Sequence, residues 1–438
     1  MMKIIAKLTL FTMFLLFLLG ISSCFYVTEA SLHDDFVFGS QAYSPQPNTV
    51  DEFIPVFADQ LRRYNFVAAD LWPDNAITKL NFVIDDVDTG RMWLIDPQGT
   101  VSPLTEKEAA KIINVKRQKI PGVWDFYGDF FENDKHGNIF YVSYEGKDLS
   151  SGGIYYSVSE AALNDIELWG KWPHVSTYDI LRLGVHESFH LFEQQKWQDR
   201  PLGEIANLET KDQQLNNTEA RIKRDLLLRQ ILAAVYYRGE KKAVLAALAT
   251  YKDYKTRFPD DYNNSIYWER IEGTANYVEY VSSIYIYYPS QIKSKEDVDS
   301  ALSQLANQDA FRLTCGVVDE AHEIGAFTGI LLDQLGIDWK TQLINDPMLT
   351  PLEILSLNYK GKFLPKAKQP TQTEIDGAVS KIKQKKADIK AILEGSILDY
   401  ETMMEFAPED ERAWMEVYIV YLKNRIRVLS KGLNDSNC

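Results

Sequence analysis

The chain has 438 residues, of which 45% are hydrophobic and 25% are charged, and its formal net charge is −15 at pH 7. This length allows two or three domains, and the composition is that of a folded globular protein rather than a disordered one. The acidic excess argues against a nucleic-acid-binding protein and against a basic surface that grips anionic lipid, because both need positive charge.

The N-terminal segment is organised like an export signal. Two lysines within residues 1–7 precede an apolar run at residues 8–20, and small residues follow just before Cys24. Charged, apolar and small stretches in this order are typical of a secretory signal. The sequence Ile-Ser-Ser-Cys at residues 21–24 also resembles the lipobox of bacterial lipoproteins.

The lipobox resemblance implies that residues 1–23 are removed and that Cys24 becomes the lipidated first residue. The protein is then extracytoplasmic and attached to the membrane through an N-terminal lipid anchor. Two alternatives stay open: a plain cleaved signal that releases a secreted protein, and an uncleaved N-terminal helix that anchors it. After cleavage two cysteines remain, Cys315 and Cys438, so we expect no disulfide framework, and whether these two pair stays open.

Residues 25–175 combine strand patterns with turns. Alternating, β-branched and aromatic stretches predict four strands, near residues 80–84, 91–95, 138–143 and 153–158. Asp88-Thr89-Gly90 predicts a hairpin turn between the first two. We expect the last of the four to lie at a sheet edge, where a substrate peptide can pair with it.

Residues 176–345 have helical periodicity instead. We expect one helix from Ser176 to Trp197, and a helical hairpin inserted at residues 217–256 around Gly239. Two more helices are predicted at Tyr267–Ile284 and Ala321–Leu335.

Residues 346–438 form the third predicted part, a C-terminal helical region. Its helices are expected at about Thr373–Glu394 and Glu409–Lys431. The predicted fold class is therefore α+β, with an N-terminal mixed sheet layer, a mostly helical middle part and this helical C-terminal part.

The first of the middle helices contains the pattern H-E-x-x-H, formed by His186, Glu187 and His190. Histidines four residues apart lie on one face of a helix, so both imidazoles can reach a single Zn²⁺ ion. Zinc lowers the pKa of a bound water to about 7, and Glu187 then takes its proton as the general base. The alternative is a pair of ordinary histidines on a helix surface.

A catalytic zinc site needs a third protein ligand and one open position. Glu193 lies on the same helix face, but about 10 Å of helix rise separates it from His186. Ligands along one line cannot enclose an ion, so the third ligand must come from another element. The metzincin pattern also fails, because Glu193 and Lys196 stand at its glycine and histidine positions.

A second motif supplies a candidate for the third ligand. Trp268, Glu272, Gly273, Ala275 and Tyr277 fit W-x-x-x-E-G-x-A-x-Y, which resembles a segment of the gluzincins, the zinc peptidases that include thermolysin and the zinc aminopeptidases. The resemblance implies that Glu272 is the third zinc ligand and that residues 176–345 are a zincin catalytic subdomain. It also implies that Gly273 and Ala275 let two helices approach closely.

The gluzincins often carry an acid four residues after this glutamate, where it orients a zinc-bound histidine. Asn276 stands there in this chain, and its amide oxygen can accept an imidazole N–H without adding charge. Glu279, one turn further on, is a second candidate for the same position. The two motifs are separated by 272 − 190 = 82 residues, which the helical hairpin insertion explains.

His322 is the candidate for stabilising the oxyanion. It stands at the tyrosine position of Y-x-K-G-A, a segment of the zinc aminopeptidases that residues 322–326 resemble. A histidine N–H can donate a hydrogen bond to an oxyanion as a tyrosine can.

Together these features predict an extracytoplasmic zinc metallopeptidase that hydrolyses peptide or protein substrates. The glutamate with which aminopeptidases hold the substrate amine has no counterpart near Gly153, which favours an endopeptidase. The alternatives are a catalytically inactive surface lipoprotein that binds zinc or a partner, and a structural envelope protein in which the motif is accidental.

Overall fold

The computed structural model describes the chain from residue 47 to residue 431, with gaps. The described residues are 47–73, 75–79, 81–110, 139–142, 153–160, 163, 181, 185–186, 189–190, 193–197, 215–288, 290–307, 317–405 and 409–431. The predictions made for the signal segment, Cys24, Glu187, Cys315 and Cys438 lie outside these residues. Within them the chain is mostly helical with one sheet, which confirms the α+β class.

The sheet has five strands in the order β3-β2-β1-β5-β4. The strands are β1 Asn81–Asp86, β2 Met92–Ile95, β3 Val101–Pro103, β4 Ile139–Val142 and β5 Gly153–Val158. β1 pairs antiparallel with β2 and parallel with β5, and the remaining pairs are antiparallel. The four predicted strands and the hairpin turn, where Gly90 has a φ of 71°, are confirmed.

The prediction that the strand near residues 153–158 lies at the sheet edge is wrong. β5 is hydrogen-bonded to β1 on one side and to β4 on the other, so neither side is left for an added peptide strand. Periodicity cannot tell an interior strand from an edge strand, because the order of strands is a tertiary property.

Helix α1, Val50–Leu71, precedes the sheet, and no helix was predicted at these residues. Thr49 caps it by accepting a hydrogen bond from the backbone N–H of Glu52. Its apolar side chains recur every three or four residues, and those of Phe57 and Tyr64 are fully buried. The first half of the fold therefore rests on a helix as well as on the sheet.

The other helices follow in chain order. They are α2 Thr218–Tyr236, α3 Lys241–Arg257, α4 Pro259–Tyr287, α5 Lys295–Ala306, α6 Val317–Gln334, α7 Trp339–Asn345, α8 Pro351–Asn358, α9 Gln372–Met404 and α10 Glu409–Lys431. The predicted hairpin around Gly239 and the predicted C-terminal helices are present. α4 and α9 are longer than predicted. Gly336 ends α6 with a φ of 67°, a backbone conformation that favours glycine.

α4 and α6 cross at two glycines. A Cβ atom on Gly325 would lie 2.6 Å from the Cα of Gly273, and one on Gly273 would lie 2.5 Å from the Cα of Gly325. No other residue type fits this contact, so the two backbones touch. This confirms the close approach expected at Gly273.

The buried apolar side chains form one large cluster and smaller ones. The large cluster joins α1 and the sheet to α2–α8, whereas a smaller cluster joins α9, α10 and Leu215. Domain boundaries at residues 175/176 and 345/346 stay predictions. In the described part of the chain no helix combines the length and the apolarity needed to cross a membrane.

Candidate metal centre

Three possible metal ligands converge on one point. The Nε2 atoms of His186 and His190 lie 3.1 Å apart, and each lies 3.3 Å from Oε2 of Glu272. Bonds of about 2.0–2.1 Å in a tetrahedral zinc site place any two ligand atoms about 3.3 Å apart. The triangle of donor atoms therefore fits three corners of a zinc tetrahedron, and Glu193 is not part of this cluster.

Local helix geometry positions the two histidines. Residues 185–186 and 189–190 are helical, so the two rings lie one turn apart on the same side. Phe189, which directly precedes His190, is fully buried, with its ring centroid 4.8 Å from that of Trp72 and 6.0 Å from that of Trp197. This aromatic packing fixes the segment that carries the histidines.

The glycine crossing positions the other two site residues. Glu272 directly precedes Gly273 on α4, and His322 lies three residues before Gly325 on α6. Nε2 of His322 lies 3.1 Å from Oε2 of Glu272, and its ring centroid lies 6.3 Å from that of His186. This nitrogen is buried and makes no aligned hydrogen bond among the described residues, although it lies close to the Glu272 carboxylate.

His186 and His190 each have a hydrogen-bond acceptor at Nδ1. Nδ1 of His186 lies 2.9 Å from Oε2 of Glu279, and Nδ1 of His190 lies 2.7 Å from Oε1 of Gln194. The amide nitrogen of Gln194 donates to the carbonyl oxygen of Ile271 at 2.7 Å, which requires its oxygen to face His190. The two acceptors therefore favour a hydrogen on Nδ1 of each ring, which leaves Nε2 as the atom that a metal ion would take.

Of the two candidates for orienting a histidine, Glu279 is the one in contact with it. The side chain of Asn276 donates to the hydroxyl of Tyr280 at 3.4 Å and does not reach a histidine. Gln194, which the sequence analysis did not single out, takes the role of the neutral acceptor. Its position four residues after His190 in the predicted helix was the available signal, although the structure has a turn at residue 193 and a 3-10 helix over Gln194–Trp197.

The surroundings favour an ionised Glu272. Burial alone raises the pKa of Glu272, but the charges of His190 and His322 and hydrogen bonds from His186 and His190 outweigh it and hold the pKa well below its usual value. The Glu272 side chain is 14% exposed and that of His186 is 9% exposed. A partly buried carboxylate and two imidazoles are a donor set that suits Zn²⁺.

Glu187 lies outside the described residues. The described residues bring His186, His190, Glu272 and His322 to one place, although His322 is separated from His186 by 322 − 186 = 136 residues. Comparisons with family models, with curated proteins and with solved structures find no match for this chain.

Proposed function

We propose that the chain is a zinc-dependent peptidase of the gluzincin type. The observation that carries the proposal is the triangle of donor atoms from His186, His190 and Glu272, whose edges of 3.1–3.3 Å match a tetrahedral zinc site. Two ordinary surface histidines would not be expected to converge on a partly buried glutamate from another helix.

The residues of the site then divide the chemistry between them. His186, His190 and Glu272 hold Zn²⁺, which when bound supplies a Lewis acid and lowers the pKa of water. Glu187 removes a proton from the attacking water and returns it to the leaving amine. His322 donates from Nε2 to the developing oxyanion, and Glu279 and Gln194 keep the two histidine rings in their binding orientation.

We place this activity outside the cytoplasm, on a lipoprotein anchored through Cys24. The substrate class is a peptide or an unstructured protein segment, and internal cleavage is favoured over removal of N-terminal residues. The support for location is the order of charged, apolar and small residues at the N-terminus.

The test compares the wild type with Glu187→Ala and Glu272→Ala, and uses Glu394→Ala, an exposed carboxylate on α9, as the matched control. The measurements are zinc content after gentle purification and cleavage of an unfolded protein. We expect one zinc per wild-type chain and cleavage by the wild type and the control. Glu187→Ala should keep zinc and lose activity, whereas Glu272→Ala should lose most of the zinc.

Two results would contradict the proposal in different ways. Wild-type protein without zinc would refute the metal site and the peptidase together. Zinc binding without cleavage of any peptide would leave a metal-binding surface lipoprotein, the alternative function.

A further inference from the structure

The contact between α4 and α6 at Gly273 and Gly325 brings the two backbones close together without interlocking side chains at that point. Helices that interdigitate through large side chains resist sliding, because ridges of one fit into grooves of the other. A backbone contact between two glycines has no such ridge. The packing at this point therefore does not by itself fix the register or the rotation of the two helices that carry Glu272 and His322.

A cluster of buried charges lies against the same crossing. Arg221 and Arg224 on α2 are both fully buried, and their partners on α4 and α6 are buried too. We call these two arginines, with their three partners, the arginine clamp. The partners are Asp261 and Glu269 on α4 and Glu320 on α6.

The arginine clamp reaches both ligand-bearing helices next to the site. Arg224 pairs with Glu269, one turn before Glu272 on α4. Arg221 donates from Nη1 to Oε2 of Glu320 at 2.5 Å, two residues before His322 on α6. Arg224 Nε also lies 3.5 Å from the same Glu320 oxygen, so α2 contacts α6 through a carboxylate that both arginines share, and it contacts α4 through Asp261 and Glu269.

Stability alone is a poor explanation for this cluster. Burying ions costs a large desolvation penalty, and a well-packed apolar replacement is often as stable. Oε2 of Glu269 and Oε1 of Glu320 accept no hydrogen bond within the described part of the chain, so the compensation is incomplete. Burial also raises the pKa of Glu320 to about 7, despite the two arginines beside it.

We propose that Arg221 and Arg224 are positioning residues that fix the rotation and register of α4 and α6, and thereby aim Glu272 and His322 at the metal centre. Charge-assisted hydrogen bonds are directional, so they supply what the glycine contact lacks. The inference rests on the proposed zinc site, and it assigns the hairpin insertion at residues 217–256 a part in the active site.

The test replaces the pair Arg224 and Glu269 with two methionines, which keeps the volume and the net charge while it removes the directional contact. The matched control is Arg229→Met with Glu374→Met. This Arg–Glu pair also starts from α2, but its glutamate lies on α9 and not on a helix of the metal centre. The measurements are urea unfolding, the zinc Kd of metal-free protein by competition with a chelator, and kcat and KM.

We expect the Arg224→Met, Glu269→Met protein to fold, to bind zinc about 10-fold more weakly, and to lose about 100-fold in kcat with a smaller change in KM. The control pair should leave the zinc Kd and kcat near the wild-type values. If the double variant does not fold, Arg224→Lys, which keeps the charge but not the planar fork, should fold and show the same losses to a smaller degree.

The outcomes separate this inference from the function on which it rests. Wild-type zinc affinity and kcat in a folded methionine pair, or in Arg224→Lys, would overturn the positioning role while leaving the zinc site intact. Equal losses of zinc affinity and kcat in the control pair would also overturn it, because the losses would then not depend on contacts with α4 and α6. A wild type that binds no zinc would overturn both.

Discussion

Gly325→Ala is the substitution that most directly tests how the site is built. The added Cβ atom would lie 2.2 Å from the carbonyl oxygen of Glu269 and 2.6 Å from the Cα of Gly273. Both neighbours are backbone atoms, so no side chain can rotate away. Since ordinary contacts need about 3.4 Å, the helices α4 and α6 must separate by about 1 Å.

The cost follows from two opposing effects. Overpacking at a rigid contact destabilises by about 3 kcal/mol, whereas alanine in a helix is better than glycine by about 1 kcal/mol. We therefore expect a net loss of about 2 kcal/mol in the free energy of unfolding. The separation also moves His322 away from Glu272, and an active-site displacement of about 1 Å lowers kcat by about 100-fold.

The assay is urea denaturation combined with peptidase kinetics and zinc content. The control is Gly377→Ala on α9, where nothing lies within 4 Å of the added Cβ. This variant has no overpacking cost, so its free energy of unfolding should rise by about 0.4–1 kcal/mol, the amount that a compatible glycine-to-alanine change contributes. Because α6 supplies no zinc ligand, Gly325→Ala should keep its zinc. An unfolding free energy within 0.5 kcal/mol of the wild type, with unchanged kcat, would refute the close-crossing argument.

Three further predictions concern separate contacts. Glu279→Gln removes the charged acceptor behind His186 and should weaken zinc binding by about 10–100-fold in a chelator competition, and an unchanged Kd would contradict this. A hydrogen bond from the Thr371 backbone, with Arg229, lowers the pKa of Glu374 to about 2. The ionised Glu374 then stabilises the fold fully above pH 4.5, and this stabilisation is lost as the pH falls through 2. In metal-free protein, the free energy of unfolding of the wild type should therefore exceed that of Glu374→Gln by about 1–2 kcal/mol at pH 7, and by less at pH 3. A difference that stays constant with pH would contradict that assignment. Trp72→Ala should lower the free energy of unfolding by about 3–5 kcal/mol, because Trp72 is fully buried against Phe189. Phe66, which is 89% exposed on α1, is the control, and Phe66→Ala should stay within about 0.5 kcal/mol of the wild type in the same urea assay.

Local features of the site were predictable because they follow helix periodicity. The four-residue spacing of His186 and His190 already places both rings on one face, and the structure places Glu272 beside them. The same four-residue spacing relates Gln194 to His190, but Gln194 belongs to no motif and was not predicted. The contact of Glu279, two turns after Glu272 on the same face, also obeys helix periodicity.

Features that depend on distant elements were not predictable in the same way. The sheet order places β5 in the interior, although its sequence is equally compatible with an edge. The partners of Arg221 and Arg224 stand on helices whose relative placement no single-sequence pattern encodes. The glycine at position 273 was predicted to allow a close approach, but its partner Gly325 became identifiable only once the two helices were seen to cross.

The spacing of the proposed metal ligands has a consequence for the stability of the protein. A zinc ion bound by His190 and Glu272 is a cross-link that closes a loop of 272 − 190 = 82 residues, and this loop contains the whole α2–α3 hairpin. Such a link restricts the unfolded chain more than the folded one, so binding energy becomes folding energy by mass action. The resistance of this protein to heat and to proteolysis should therefore follow the free zinc concentration around it.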